Sequence, residues 1–209
     1  MIIIGITGPT GAGKTTALGE VEKLGGAVID CDAVYHELLE SDKTLQNRLE
    51  QEFGDIRDDS GAVDRKKLGA IVFGDPEKLE RLNAIAQRAT VDRTRLLLEE
   101  CRAKGMPLAA VDAIGLLESG MGELCHATVA VVAPPEVRVA RIMAREGISQ
   151  DYAWSRVRAQ KPDSYYREHC TDVLENQEET PEAFREKAEI FFRDLLRQLH
   201  HITEGGHEQ

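Results

Sequence analysis

Near the start of the chain, Gly8-Pro9-Thr10-Gly11-Ala12-Gly13-Lys14-Thr15 fills every fixed position of the pattern G-x-x-x-x-G-K-[ST]. Each residue type has a task in phosphate chemistry. Gly8, Gly11 and Gly13 let backbone N–H groups curl around an anion where any Cβ would obstruct. A helix opening at about Lys14 points its positive end at the same place. Lys14 and the glycines around it are therefore candidates to hold the phosphates of a nucleotide. Lys14 can bridge the β- and γ-phosphates, and the Thr15 hydroxyl can ligate Mg²⁺. A glycine-rich turn without a ligand is the alternative, but this run follows a strand and opens a helix. The pattern does not choose among kinases, GTPases and motor ATPases.

Asp30-Cys31-Asp32 begins that choice. It ends a predicted second strand, on the sheet edge where the glycine-rich loop also lies. A carboxylate there can take the proton of an acceptor hydroxyl in line with a γ-phosphate. Alternation puts Asp30 and Asp32 on one side, and Asp32, nearer the strand tip, is the candidate base. The competing role for either is to cap a helix starting near Ala33.

Arg138, Arg141 and Arg145 are three and four apart, so one helix face carries them all. Arg156 and Arg158 follow beyond a hinge at Gly147. Such a hairpin can close on a donor site, stabilise charge and exclude water, with Arg141 and Arg145 as the favoured pair. A solvated face paired with nearby acids is the alternative. Asp112-Ala113-Ile114-Gly115 has the form D-x-x-G, but no Asn-Lys-x-Asp follows it to read a guanine. Asp112 can hold a water on the magnesium, with a structural role equally open. Tyr165-Tyr166 can stack on a base, but packing under the hairpin is the favoured reading, and His200, His201 and His207 read as solvent-facing residues without companion ligands.

The elements that must position these groups follow from periodicity. Ile2 to Thr7 and Ala27 to Ile29 are short apolar strands around a helix over 14–24, a βαβ unit that implies a parallel sheet. Residues 33–105 are helical, broken at Gly54, at 58–61 and at 74–76. Strands follow at Pro107 to Val111, Thr128 to Val132 and Thr171 to Leu174. Pro134-Pro135-Glu136 opens a helix that Gly147 closes, and Ser149 caps the next, which reaches about Gln160. Thr180-Pro181-Glu182 starts a last helix with Phe184, Ala188, Phe191, Leu195 and Leu199 on one face. The tail after Ile202 is polar and frayed. The expected fold is a three-layer α/β domain with a parallel five-stranded sheet. Its core covers about 1–32, 107–135 and 170–200, with a helical acceptor-binding region at about 33–105 and a lid at about 138–168.

Composition narrows the function classes. The 209 residues carry a formal net charge of −11, which disfavours nonspecific nucleic acid binding. No stretch is long and apolar enough to span a bilayer, and a secretory signal is not expected at the start. Cys31, Cys101, Cys125 and Cys170 form no C-x-x-C pair, so reduced thiols in a cytoplasmic protein are expected. Cys31 lies between two acids, which keep its thiol protonated.

With the loop, Asp30-x-Asp32 and the arginine hairpin in place, the chain resembles the dephospho-coenzyme A kinases. The resemblance runs from about residue 2 to 200. It takes in Val28-Ile29-Asp30-Cys31-Asp32, Asp64-Arg65-Lys66-Lys67-Leu68, Phe73-Gly74-Asp75-Pro76, Leu82-Asn83, Arg141-x-x-x-Arg145, Arg156-x-x-x-Gln160 and Asp172-Val173-Leu174-Glu175-Asn176. It implies a P-loop kinase fold and transfer of the ATP γ-phosphate to the ribose 3′-hydroxyl of dephospho-coenzyme A. It also implies Gly11, Ala12, Gly13, Lys14, Thr15 and Thr16 on the phosphates of ATP, Asp32 as base, Arg141 and Arg145 as lid residues, and Asn176 near the adenine. A monomer or weak homo-oligomer is expected. Two departures stand out. Gln87-Arg88 replaces the family's His-Pro, and Ile114-Gly115 replaces Pro-Leu. Both are expected near the acceptor and away from the phosphate loop. Two other readings stay open: a kinase for a nucleoside or nucleotide, and a regulatory module that senses a nucleotide without catalysis.

Overall fold

The computed structural model describes residues 1–205, so the last residues of the tail, His207 among them, lie outside the described residues. The chain divides into two compact units, Asp30–Leu97 and the remainder on either side of it.

The larger unit is built on a five-stranded parallel sheet. In chain order, its opening elements are β1 (Ile2–Thr7), α1 (Lys14–Lys23) and β2 (Ala27–Asp30). The second unit then contributes α2 (Cys31–Ser41), α3 (Lys43–Phe53), α4 (Arg65–Val72) and most of α5 (Pro76–Ala103). The chain returns with β3 (Leu108–Asp112), a 3₁₀ turn at Met121–Leu124, β4 (Ala127–Val132), α6 (Pro135–Glu146), α7 (Gln150–Arg158), α8 (Asp163–His169), β5 (Asp172–Glu175) and α9 (Pro181–Gly205). The strand order is β2-β3-β1-β4-β5. β1 is central, with Ile4 opposite both Ala110 and Ala127. A strand covered on both faces needs no polar alternation, which is why Ile2–Thr7 is buried at every position.

Ile4, Ile6, Val129 and Val131 of the sheet pack with Val21 of α1 and with Phe184, Ala188 and Phe192 of α9. Of the adjacent pair Phe191-Phe192, the ring carried fully inside is that of Phe192, one position beyond the residue expected from the sequence. Phe184, Ala188 and Phe192 follow a strict four-residue step, so they stack on one row. Phe191 sits half-buried beside Phe192, edge to face at 5.4 Å. The strand after α5 starts at Leu108 rather than Pro107. Pro107 has no N–H to give, and its carbonyl accepts from Ile2 N at 2.9 Å.

α6 and α7 form a hairpin with its own small core of Val139, Ile142, Ala153 and Val157. Gly147 turns the chain at φ +66°, and Ser149 caps α7, both as expected. α8 was not expected from periodicity. It has only seven residues, and Tyr166, its buried anchor, packs on Ala130 and Val132 of β4.

In the second unit, the breaks at Gly54, 58–61 and 74–76 fall between helices, as the sequence indicates. Aspartates cap each helix start. Asp30, Asp42, Asp64 and Asp75 accept from the free N–H groups of α2, α3, α4 and α5. Buried Gln46 donates to the carbonyls of Leu39 and Glu40, which ties α3 to the end of α2.

Truncating the row on α9 tests this packing. Phe192→Ala is expected to cost about 3–5 kcal/mol, the range for a fully buried ring. Urea denaturation followed by circular dichroism reads the shift in midpoint, and Phe191→Ala should cost well under half as much.

Candidate active site

The glycine-rich run forms the turn between β1 and α1 at the carboxyl edge of the sheet. Its shape demands glycine at two positions on two separate grounds. Gly8 has φ +140°, and a Cβ there would lie 2.1 Å from the Val131 carbonyl oxygen. Gly13, which precedes α1, has φ +104°, and a Cβ would lie 2.3 Å from Asn176 Nδ2.

The loop is held from outside by its carbonyls. Arg138, 2% exposed, donates from Nε to the Thr10 carbonyl at 3.0 Å and from Nη2 to Gln160 Oε1. Gln160 reads Thr10 twice, accepting from its N–H at 3.1 Å and donating to its hydroxyl at 3.0 Å. Asn176 Nδ2 donates to the Ala12 carbonyl at 2.8 Å. Arg141 makes long contacts of 3.4 Å to the carbonyls of Gly11 and Ala12, and bonds of 3.1 and 3.3 Å to Asn176 Oδ1 and the Glu178 carbonyl. With the outer carbonyls engaged, the opening N–H groups of α1 are left facing a ligand.

Beside the loop lies a cleft of about 460 Å³, lined by Lys14, Thr15, Thr16, Arg141, Arg145 and Arg156 together with the loop glycines. Lys14 forms an ion pair with Asp112 at the end of β3. Arg145 and Arg156 share Glu146. The hydrogen bond from Arg145 draws the Glu146 carboxyl below its ordinary pKa, with Arg156 adding to it. Burial pulls the guanidinium pKa values of Arg138 and Arg141 down. Both stay cationic, because a guanidinium does not lose its proton in a protein.

The hairpin arginines therefore divide their work, although one helix face carries the first three. Arg138 grips the loop backbone, Arg141 both grips it and lines the cleft, and Arg145 and Arg156 line the cleft alone. Arg158 lies over the Trp154 ring at 5.2 Å, where it packs within the hairpin. Asn176 is buried, with both ends of its amide engaged by the loop and by Arg141. Ile114 overturns an expectation. It lines the cleft of the phosphate loop, because its carbonyl accepts from the Thr7 hydroxyl at 3.1 Å just before that loop. Tyr165 and Tyr166 pack, Tyr165 against His169 and Tyr166 in the core, as the sequence favoured.

In the second unit, β2 ends at Asp30, and Asp32 belongs to the first turn of α2. The two acids thus do not share a strand face. Asp30 takes the capping role, accepting from the N–H groups of Asp32 and Ala33 at 2.9 and 3.0 Å. The Asp32 carboxylate is exposed and has no hydrogen bond or ion pair among the described residues. Cys31 is buried, 3.7 Å from the Thr94 hydroxyl, and the four cysteines form no disulfide among the described residues.

Sequence reasoning assigned no task to Thr10, Glu146 or Gln160. The spacing Arg156-x-x-x-Gln160 was visible, but nothing in it tells that Gln160 turns back to the loop.

A parallel sheet of this order, a glycine-rich loop opening α1 and an arginine-bearing hairpin over that loop define a P-loop kinase. Residues 2–182 match the dephospho-CoA kinase family, and the chain belongs to that family. Dephospho-CoA kinase of Thermus thermophilus is 38% identical over 177 residues, covering 84% of this chain and 83% of that protein. The enzyme of the same name from Dehalococcoides mccartyi is 35% identical over 84% of this chain and 89% of its own length. The crystal structure of TT1252 from Thermus thermophilus aligns with a TM-score of 0.73 and 35% identity, covering 95% of this chain and 97% of that one. Shikimate kinase from Bacteroides thetaiotaomicron, 19% identical with a TM-score of 0.54 over 94% of this chain and 98% of its own, shares the fold.

The grip on Thr10 gives a direct test. Gln160→Ala leaves the Thr10 N–H and the Arg138 guanidinium each short of a partner, a loss of about 1–3 kcal/mol. Titration calorimetry with a non-hydrolysable ATP analogue should show weaker binding by roughly 5- to 100-fold. Arg158→Ala, which touches the hairpin alone, should leave that affinity unchanged.

Proposed function

We propose that this enzyme transfers the γ-phosphate of ATP to the ribose 3′-hydroxyl of dephospho-coenzyme A, giving coenzyme A and ADP. The observation that carries the reading is the glycine-rich loop with its cationic cleft, in a chain whose family is that of the dephospho-CoA kinases.

Each residue then has a role. The loop N–H groups and the positive end of α1 hold the β- and γ-phosphates. Lys14, paired with Asp112 in this structure, exchanges that carboxylate for phosphate oxygens when ATP binds. Arg145 and Arg156 line the same cleft and oppose the charge spread over the transferring group. Arg141 acts on the phosphates through the loop carbonyls and Asn176. Asn176 thereby supports the ATP site from behind, and adenine contact rests on the family resemblance alone. Asp32 is the base. The 3′-oxygen forms its bond to the γ-phosphorus as the bond to the bridging oxygen of ADP breaks, and the hydroxyl proton passes to the Asp32 carboxylate. Its exposed, unpartnered state favours this role over a structural one.

Mg²⁺ fits the donor set at the cleft. Among the described residues no three His, Cys, Asp or Glu side chains gather into a metal site. The ion is therefore expected on phosphate oxygens and the Thr15 hydroxyl, with Asp112 reaching it through water. When bound it neutralises charge on the phosphates. Helices 33–105 serve the acceptor and residues 138–168 the lid. The enzyme works in the cytoplasm as a monomer or weak homo-oligomer, without nucleic acid, a reading supported by its acidic charge and by cysteines without C-x-x-C spacing. No helix among the described residues is long and apolar enough to cross a membrane.

The defining assay mixes protein, Mg-ATP and dephospho-coenzyme A, and follows ADP release and the mass of coenzyme A. Acceptor-dependent ADP with matching product is expected. ADP release indifferent to the acceptor would sink the assignment, and a panel of nucleosides and nucleotides would then identify another substrate. Lys14→Ala should lower kcat by roughly 10³- to 10⁵-fold through lost charge stabilisation. Asp32→Asn should lower kcat by about 10²- to 10⁴-fold with ATP affinity unchanged. Transfer at the wild-type rate in Asp32→Asn would remove it as base.

A further inference from the structure

The cleft beside the phosphate loop is walled by lysine, arginine, threonine and glycine, and a single residue departs from that chemistry. Pro9 of the loop aside, Ile114 is the one aliphatic side chain among the described residues that line it. Ile114 is 55% exposed, whereas Ala113 and Leu116 around it are buried. The turn is thus packed, and its isoleucine stands out of the core. Hydrogen bonds to β1 fix it there. The Ile114 carbonyl accepts from the buried Thr7 hydroxyl at 3.1 Å, and the Ala113 N–H donates to the Ile6 carbonyl at 3.2 Å. The branch at Cβ stiffens the side chain further. Gly115 sets nothing beside it, although a Cβ there would meet only Glu118 Oε2, at 4.0 Å, so packing does not demand glycine. Relative to the family's Pro-Leu, Ile114-Gly115 therefore moves the large aliphatic group back by one residue, to the position that lines the cleft.

The neighbours of Ile114 give its place along the cleft. Asp112, two residues earlier, pairs with Lys14, the side chain that reaches for the γ-phosphate. β3 and β4 flank β1 on opposite sides. The cleft arginines follow β4, on α6 and α7, and Ile114 follows β3. One wall is therefore cationic and the other aliphatic. Water attacks a phosphorus readily only where some group accepts or orients its protons. Lysine and arginine donate and cannot accept, and isoleucine does neither. Asp112 is an acceptor close by, and ATP draws Lys14 off it in the scheme above.

We propose that Ile114 keeps water off the γ-phosphate, so that the phosphoryl group passes to an acceptor hydroxyl and is not lost to hydrolysis. In the reaction it suppresses, a water oxygen bonds to the γ-phosphorus as the bond to the bridging oxygen of ADP breaks, and ADP, phosphate and a proton are released. The aliphatic side chain denies water a seat between the Asp112 carboxylate and the phosphate. The proposal rests on the ATP-dependent transfer assigned above and deepens it by naming what sets its fidelity.

Ile114→Val and Ile114→Thr test it, with the thermal midpoint of each as the folding control. The two replacements share the branch at Cβ and differ in one hydroxyl, which can hold a water. ADP release from Mg-ATP without acceptor should rise about tenfold in Ile114→Thr, the worth of one hydrogen bond to the attacking water. Ile114→Val should stay within about twofold of wild type. With saturating dephospho-coenzyme A, the ratio of ADP to coenzyme A should rise in Ile114→Thr alone. Equal acceptor-free hydrolysis in the two variants overturns the proposal. So does a raised KM for dephospho-coenzyme A without added hydrolysis, which would make Ile114 an acceptor contact. A wild-type enzyme that makes no coenzyme A refutes the acceptor assignment itself, and since acceptor-free hydrolysis needs only Mg-ATP, the two failures are read separately.

Discussion

The phosphate loop has to keep its N–H groups turned inward toward an anion, and a short glycine-rich segment has no intrinsic reason to do so. Here the constraint is met by fastening the opposite side of the backbone. The carbonyls of Thr10, Gly11 and Ala12 are taken up by Arg138, Arg141 and Asn176, and Gln160 locks the Thr10 side chain and N–H in the same act. The glycines then serve two ends. They permit positive φ, and they admit Val131 and Asn176 to within a distance that no Cβ would allow. Much of the larger unit, from the Pro134-Pro135 start of α6 to the end of β5, is arranged to deliver these few side chains.

The same geometry settles how an acidic protein binds a polyanion. A net charge of −11 describes the whole surface, whereas the cleft collects Lys14, Arg141, Arg145 and Arg156 in one place. Asp112 and Glu146 moderate that charge. Among the hairpin arginines, Arg138 on the loop is buried, whereas Arg145 in the cleft is exposed.

What the sequence made legible follows from how local the signal is. The loop motif, the βαβ unit, the Gly147 turn and the Ser149 cap depend on neighbours a few residues away, and each stands where expected. The Asp30-x-Asp32 pair shows the limit of periodicity. Two-residue alternation holds only while the strand lasts, and the strand ends at Asp30 because its own carboxylate starts the next helix. α8 has too few residues for a period to show. The split between gripping and lining arginines was hidden because spacing gives the face of a helix and not the partner opposite. Gln160 was out of reach for the same reason, since its partner is Thr10, far back in the chain. Ile114 was placed wrongly because strand order, and not chain distance, brings the end of β3 beside the loop.

The clamps on the loop have a consequence for synthesis on the ribosome. Residues 8–15 emerge well before the groups that shape them, Arg138, Arg141, Gln160 and Asn176, and the bond from Asn176 to Ala12 spans 164 residues of chain. β1 itself waits for β3 and β4 on either side. A nascent chain carrying the complete loop motif therefore has no formed nucleotide site until its β5 segment has left the exit tunnel. Up to that point the loop is ordinary flexible glycine-rich backbone, and ATP gives no early help to folding. Nucleotide can stabilise only the nearly finished protein, late in its maturation.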